Sequence, residues 1–123
     1  MAKGLFDLMK NKILHLDLKP DNILVKAPGQ YVLCDLGCSR KMEGNLTGSK
    51  SYNVLKMSCN AKGGGTTDYA SPDLLMEGEM TEFTDIWSLG VILYKVIYKH
   101  HPLYKVSKTQ LTKNMNDFFE GKL

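Results

Sequence analysis

Apolar residues recur three or four positions apart near the start of the chain, which is the spacing of one face of an amphipathic helix. Within residues 3–14 these positions are Leu5, Leu8, Met9 and Ile13. The repeat stops at His15. The pattern therefore predicts an amphipathic helix over residues 3–14.

Two short apolar runs that include β-branched residues follow, at residues 23–26 and 31–34. The residues between them contain Pro28-Gly29, a pair that favours a type II turn because glycine tolerates the positive φ of the third turn position. Two such runs joined by a short turn predict an antiparallel β-hairpin over residues 23–34.

The second half of the chain is predicted to be mainly helical. Residues 37–65 have no periodicity and are rich in Gly, Ser, Asn and Lys, which is typical of a functional or disordered loop. Residues 72–76 allow one or two helical turns, and residues 107–119 allow a weak polar helix. Thr84 is a candidate N-cap for a helix over residues 85–98 that is apolar on most faces, and such a helix belongs in the middle of a larger body. The predicted fold class is α+β, mainly α.

Composition places the chain among single globular domains. It has 123 residues, of which 43% are hydrophobic and 24% charged, and these values argue against wholesale disorder. The formal net charge of +3 is too small to favour a nucleic-acid or membrane partner. Arg40 is the single arginine among the 16 cationic residues, so bidentate clamps for phosphate are nearly absent.

Cysteine usage and the lack of a targeting pattern favour an intracellular protein, either cytoplasmic or nuclear. Cys34, Cys38 and Cys59 are an odd number without a disulfide spacing, which fits a reducing compartment. Because no second pair supports a zinc site, Cys34 and Cys38 are interpreted as buried or half-buried thiols. No secretory pattern is visible, and the longest apolar segment, residues 86–98, is too short to span a bilayer.

The residues that carry chemistry surround the predicted hairpin. A tight loop before it, residues 15–22, contains a carboxylate (Asp17), an ammonium (Lys19) and an amide oxygen (Asn22). The hairpin then returns the chain so that a second carboxylate, Asp35, can approach the same point. Two hard oxygen donors close together suit Mg²⁺ bound to phosphates. A separate carboxylate and ammonium suit a hydroxyl that attacks phosphorus, where developing charge must be neutralised.

Four segments of the chain, in this order, resemble motifs of the eukaryotic protein kinases. They are HLDLKPDN at 15–22, DLG at 35–37, GTTDYASPD at 65–73 and DIWSLG at 85–90. The first segment alone would also fit small-molecule phosphotransferases, but its LKP letters and the DIWS segment favour protein kinases. The resemblance implies a partial protein kinase domain over residues 1–123, with a catalytic loop at 15–22, a hairpin at 23–34, a magnesium loop at 35–37, an activation segment at 38–73 and a central helix at 84–98.

The resemblance implies a Ser/Thr protein kinase, an ATP-dependent phosphotransferase whose partner is a protein that presents a Ser or Thr hydroxyl. Asp17 would orient and deprotonate that hydroxyl. Lys19 would contact the transferring γ-phosphate, and a lysine at this position marks Ser/Thr rather than Tyr kinases. Thr66 would contact both Asp17 and Lys19.

The cofactors implied by the resemblance are ATP and Mg²⁺. Asn22 and Asp35 would hold the metal between the nucleotide phosphates. Leu24 would pack beneath the adenine, on top of Ile92 and Val96 of the central helix.

The resemblance also implies structural supports around this site. His15 and Leu36 would stack on each other, and Asp85 would accept backbone N–H bonds from the catalytic loop. His100-His101, after the central helix, is interpreted as a solvated loop.

Two positions depart from the family pattern. Leu16 stands where most kinases carry an arginine that pairs with a phosphate on the activation segment, and leucine cannot make a charge-assisted bond. We therefore hypothesise that loop phosphorylation does not switch this protein by that route. Asp73 replaces the glutamate of the usual Ala-Pro-Glu, which shortens the carboxylate by one methylene.

The 123 residues contain no Gly-rich phosphate cover, no strand lysine for the α- and β-phosphates, and no helix glutamate to pair with it. The expected fold is therefore a truncated C-terminal lobe with the N-terminal lobe absent. Since a charged hydrogen bond contributes about 1.5–3 kcal/mol, losing a few weakens ATP binding by about 5 kcal/mol, and the chain alone is expected to be inactive. Two alternatives stay open: a catalytically silent lobe that docks on a kinase or its substrate, and an incomplete gene model. The expected partner of such a truncated chain is a missing N-terminal lobe or a partner kinase.

Overall fold

The computed structural model describes residues 2–42, 66–103, 113–114, 116–117 and 120–122. The regular elements, in chain order, are helix α1 (Ala2–Lys10), strands β1 (Ile13–Leu14), β2 (Ile23–Ala27), β3 (Gln30–Leu33) and β4 (Arg40–Lys41), and helix α2 (Thr84–Tyr98). Short helical turns occur at Pro20–Asn22, Thr66–Tyr69 and Asp73–Glu77, the last of them π-helical. The strands form two antiparallel pairs, so the described part of the chain is a small α+β fold.

Helix α1 ends at Lys10, earlier than predicted. The N–H groups of Asn11 and Lys12 close its last turn on carbonyls of the helix, and Lys12 then takes a φ of +57°. This left-handed residue turns the chain out of the helix. Ile13–Leu14 then pair as β1 with Arg40–Lys41 of β4. The helix prediction is wrong beyond Lys10, because helical spacing within one segment carries no information about a strand partner far along the chain.

Strands β2 and β3 form the predicted hairpin. Ala27 pairs with Gln30 across Pro28-Gly29, and Gly29 has a φ of +74°, as the third position of a type II turn requires. Ile23 lies opposite Leu33, and both side chains pack against the main buried cluster. The hairpin therefore returns the chain to the point where β2 begins.

Two buried clusters hold the loop that precedes the hairpin. The main cluster contains Leu5, Leu18, Tyr69, Val91 and Ile92. The second cluster contains Leu14, Leu16 and Met80. Burying one such aliphatic side chain contributes roughly 1.5–3 kcal/mol. Because the loop at 15–22 places one leucine in each cluster, it is fixed from both sides.

Helix α2 buries one face rather than most of its surface. Its buried residues are Thr84, Asp85, Ser88, Val91 and Ile92. A second set of apolar residues is between 42% and 67% exposed: Ile86, Leu93, Val96, Ile97 and Tyr98. None of the described residues covers this second apolar face, so the expectation that α2 lies in the middle of a larger body stays a prediction.

The first turn of α2 also differs from the prediction. Phe83 occupies the N-cap position and makes no side-chain capping bond. Thr84 lies inside the helix, and its Oγ1 accepts the N–H of Thr81 at 2.9 Å. The assignment of Thr84 as N-cap is therefore wrong, because its hydroxyl stabilises the preceding turn instead.

Two predicted segments fall outside the described residues: positions 43–65 of the activation segment, and most of residues 107–119. The short helical turn predicted at 72–76 is present as Asp73–Glu77. Among the helices described, none has the length and apolar character needed to cross a membrane.

Candidate active site

A buried carboxylate on α2 fixes the start of the loop at 15–22. Asp85, fully buried in the first turn of α2, accepts the N–H of His15 at 2.6 Å and the N–H of Leu16 at 2.9 Å. Leu16 has a φ of +63°, a conformation that a leucine adopts only under constraint. Two charge-assisted bonds supply that constraint and satisfy the buried charge. The role expected for Asp85 is therefore confirmed.

The His15 ring joins the loop at 15–22 to the end of the hairpin. Its Nδ1 accepts the N–H of Asp17 at 3.3 Å, so Nε2 carries the proton and donates to the carbonyl of Cys34 at 2.9 Å. The N–H of Cys34 donates in turn to the carbonyl of Asn22 at 3.0 Å. The residue before Asp35 is thus fixed at both its N–H and its carbonyl, and both bonds lead to the loop at 15–22.

Asp17 is buried and its two carboxylate oxygens have different surroundings. Oδ2 accepts Nδ2 of Asn22 at 3.0 Å and pairs with Nζ of Lys19 at 3.0 Å. Asn22 Nδ2 also donates to the backbone carbonyl of Asp17 at 2.8 Å. Oδ1 is buried and accepts no hydrogen bond from the described residues. Since buried polar atoms in folded proteins are nearly always bonded, Oδ1 is a ready acceptor for a donor from a ligand.

The pKa of Lys19 is raised by the neighbouring carboxylates. Its hydrogen bond with Asp17 raises the pKa of the ammonium above 10.5; burial opposes the rise, and the charges of Asp17, Asp21 and Asp35 add to it. The carboxylate of Asp35 therefore lies close enough to act on Lys19 through space. The carboxylates of Asp17, Asp21 and Asp35 outnumber the single ammonium of Lys19, and this excess of negative charge favours a cation.

Asn22 and Asp35 are the residues that could hold that cation. Asn22 uses its Nδ2 towards Asp17, which leaves its Oδ1 as an oxygen donor. Asp35 is exposed at a φ of +59°, and its Oδ1 accepts the N–H of Gly37 at 3.2 Å. The described residues contain no group of three or more His, Cys, Asp or Glu able to hold a metal. One carboxylate and one amide oxygen still fit Mg²⁺, which takes few protein ligands and completes its shell with phosphates and water.

The other predicted site residues are less enclosed. The backbone of Thr66 starts a helical turn, while its side chain lies outside what is described. Leu24 is 53% exposed, and it is the neighbouring Ile23 that packs against the cluster containing Ile92. Leu36 is 51% exposed. The adenine contact of Leu24 and the stacking of Leu36 on His15 stay predictions.

Leu16, at the position of the family's arginine, is buried in an apolar environment. It is 6% exposed, and it lies in a cluster with Leu14 and Met80, against which Cys38 and Leu74 also pack. A phosphate-binding cation at this position would have to be buried among these side chains.

Sequence reasoning missed a polar anchor between α2 and the segment at 66–69. Ser88 Oγ donates to the carbonyl of Tyr69 at 2.6 Å, and Lys95 Nζ donates to the hydroxyl of Tyr69 at 2.9 Å. The signal was present, because Ser88 and Lys95 are polar residues about two turns apart in an otherwise apolar helix.

His101 forms a second anchor to the same segment. Its Nδ1 accepts the N–H of Leu103 at 3.0 Å, and its Nε2 donates to the carbonyl of Asp68 at 2.7 Å. The interpretation of His100-His101 as a solvated loop is therefore wrong for His101, which bridges two backbone segments.

Comparison with known proteins agrees with this geometry. The sequence matches the protein kinase domain family over residues 1–121. It is 36% identical over 116 residues to the serine/threonine-protein kinase sck1 of Schizosaccharomyces pombe, covering 94% of this chain and 15% of that protein. It is 35% identical over 115 residues to the serine/threonine-protein kinase TIO of Arabidopsis thaliana, covering 94% of this chain and 8% of that protein. It is also 35% identical over 102 residues to the serine/threonine-protein kinase mos of Gallus gallus, covering 83% of this chain and 27% of that protein.

The chain therefore spans between 8% and 27% of the length of these relatives. The match includes the loop at 15–22, the hairpin and α2, which are the elements that position Asp17, Asn22 and Asp35. This chain belongs to the protein kinase family.

Proposed function

We propose that this chain carries the catalytic centre of a Ser/Thr protein kinase, which transfers the γ-phosphate of ATP to a protein hydroxyl. The observation that supports this most directly is the unpartnered, buried Oδ1 of Asp17. A substrate hydroxyl can donate its hydrogen bond to this oxygen without displacing an existing partner. Oδ2 is held by Asn22 and Lys19, so the free oxygen has a fixed orientation.

In the proposed reaction the substrate oxygen attacks the γ-phosphorus while its proton passes to Asp17 Oδ1. The bond between the γ-phosphorus and the bridging oxygen of ADP breaks. Lys19, whose raised pKa keeps it charged, stabilises the negative charge on the transferring group. Asn22 and Asp35 would hold Mg²⁺, which when bound neutralises charge on the nucleotide phosphates.

We also propose that the 123 residues alone bind ATP weakly and transfer phosphate only together with a further ATP-binding lobe or a partner kinase. Asp35 and Leu24 are exposed, and the sequence has no Gly-rich loop or strand lysine to close over the nucleotide. A few missing charged contacts weaken binding by about 5 kcal/mol, or three to four decades.

A chimaera tests the catalytic assignment. This chain replaces the 116 residues that it matches in sck1, so that the relative supplies the rest of the domain. We expect the chimaera to phosphorylate Ser and Thr peptides, and an Asp17→Asn change to lower kcat at least about 10³-fold because the proton acceptor is lost.

The control is Asp7→Asn, which neutralises an exposed carboxylate on α1, outside the site. Thermal unfolding and nucleotide binding establish that each chimaera is folded. A folded, nucleotide-binding chimaera without activity, or one whose activity survives Asp17→Asn, would contradict the proposal.

A further inference from the structure

Lys95 is a half-buried cation on the packed face of α2. It lies about two helical turns after Ser88, so the two side chains share that face. Both donate hydrogen bonds to Tyr69. Ser88 Oγ donates to the backbone carbonyl of Tyr69, and Lys95 Nζ donates to the Tyr69 hydroxyl at 2.9 Å. The ammonium also lies 5.0 Å from the centroid of the Tyr69 ring, within the range of a cation–π contact.

Among the residues that the structure describes, none supplies an anionic partner for Lys95. Within the described ranges, no carboxylate forms an ion pair with its Nζ, whose partners are the hydroxyl and ring of Tyr69. An ammonium has three N–H donors, and the Tyr69 hydroxyl uses one of them. Charge-assisted bonds are strongest where water is partly excluded, so this ammonium retains the capacity to bind a carboxylate from another molecule.

Tyr69 connects Lys95 with the catalytic loop. Its side chain belongs to the same buried cluster as Leu18, the residue between Asp17 and Lys19. A peptide that offers its hydroxyl to Asp17 advances about 3.3–3.6 Å per residue over the adjoining surface. Lys95 is thus joined to the loop of Asp17 through Tyr69 and Leu18, and the side chains expected to meet its ammonium are those a few residues from the acceptor.

We propose that Lys95 is a specificity-determining residue: it binds an Asp or Glu side chain of the protein substrate, a few residues from the phosphorylated Ser or Thr. This inference rests on the proposed kinase function and names the substrate class of the same site. A purely structural Lys95 would instead act by holding Tyr69. Its loss would then weaken the binding of Glu and Gln peptides by the same factor, whereas loss of a binding residue removes the preference for Glu.

The test measures peptide binding without phosphate transfer. The full 123-residue chain is titrated against fluorescent peptides whose acceptor Ser is replaced by Ala, and which carry Glu or Gln two, three or four residues from that position. Fluorescence anisotropy gives each Kd. We expect the best Glu peptide to bind about five- to tenfold more tightly than its Gln counterpart, which is the size of one partly exposed charged contact.

Variants of α2 assign this preference. Lys95→Met keeps the length of the side chain and removes the charge, so the Glu and Gln peptides should bind equally. Lys95→Arg should keep the preference. The matched control is Lys99→Met, the same charge change at an exposed residue on the end of the same helix, and it should also keep the preference. Tyr69→Phe removes the hydroxyl and should leave the preference intact.

Equal affinity of the wild-type chain for Glu and Gln peptides, including binding of neither, contradicts the inference. So does a preference that survives Lys95→Met, or a Lys95→Met change that weakens the binding of both peptides by the same factor.

The sck1 chimaera separates the two proposals. A chain that prefers Glu while the chimaera transfers no phosphate supports the inference and contradicts the proposed function. A chimaera that phosphorylates Glu and Gln peptides equally contradicts the inference alone.

Discussion

The two loops that supply the site are held in different ways. The loop at 15–22 is buried over residues 15–18 and at Asn22, bonded to Asp85 through two N–H groups, and anchored by a leucine in each buried cluster. The loop at 35–37 is exposed and is tied to the rest of the site through the backbone of Cys34. The loop that carries Asp17, the proposed proton acceptor, is therefore preorganised by the fold, whereas the loop that carries Asp35, a proposed metal ligand, stays open.

The largest expected effect comes from removing the carboxylate that fixes the first loop. Asp85→Ala leaves the N–H groups of His15 and Leu16 buried without an acceptor, and two charged hydrogen bonds are lost. We expect the free energy of unfolding to fall by about 3–5 kcal/mol in urea titrations. Asp73→Ala, at an exposed carboxylate, should change it by less than about 0.5 kcal/mol. An Asp85 variant as stable as the Asp73 variant would show that the first loop does not depend on this anchor.

The next effect concerns the apolar environment of Leu16. Leu16→Arg, the residue usual in the family, buries a charge beside Leu14 and Met80, and should lower the free energy of unfolding by about 2–4 kcal/mol. Leu16→Met conserves volume and should cost less than about 1.5 kcal/mol. If Leu16→Arg were as stable as Leu16→Met, the cluster would have room for a cation, and the apolar environment assigned to Leu16 would be wrong.

A smaller effect is expected in alkaline solution. Because folding raises the pKa of Lys19, chiefly through its bond with Asp17, its pairing stabilises the folded state at pH values below 10.5. This contribution disappears as the pH rises through the raised pKa and the ammonium loses its proton. Between pH 9 and pH 12 the wild type should therefore lose more stability than Lys19→Met, by up to about 1 kcal/mol. Parallel pH curves of unfolding free energy for the two proteins would contradict this pairing.

The sequence predicted the local features best. Pro28-Gly29 determines the hairpin because the turn conformation depends on those two residues, and the motif resemblance identified Asp85 as the acceptor of backbone N–H bonds. Long-range pairing was not predictable in the same way. The β1–β4 pair, the early end of α1 and the bonds from His101 and Lys95 all depend on partners distant in the chain, which the periodicity of one segment does not encode.

The surroundings of α2 were likewise not predictable from its own residues. Its composition indicates a helix surrounded by protein, but composition does not specify what packs against each face. The return of the hairpin predicts that Asp35 approaches Asn22. The structure shows the backbone bonds of Cys34 with Asn22 and His15, and a metal site shared by Asn22 and Asp35 stays a prediction.

The central proposal is that Asn22 and Asp35 share one divalent-cation site beside Asp17, and paramagnetic broadening by Mn²⁺ tests it most directly. Amide signals of the full chain are recorded with Mn²⁺ alone, for the wild type, for Asp35→Asn and for the control Asp73→Asn. We predict strong broadening at both 15–22 and 34–37 in the wild type and the control, and its loss in Asp35→Asn. Broadening confined to other residues, or unchanged in Asp35→Asn, would contradict the claim.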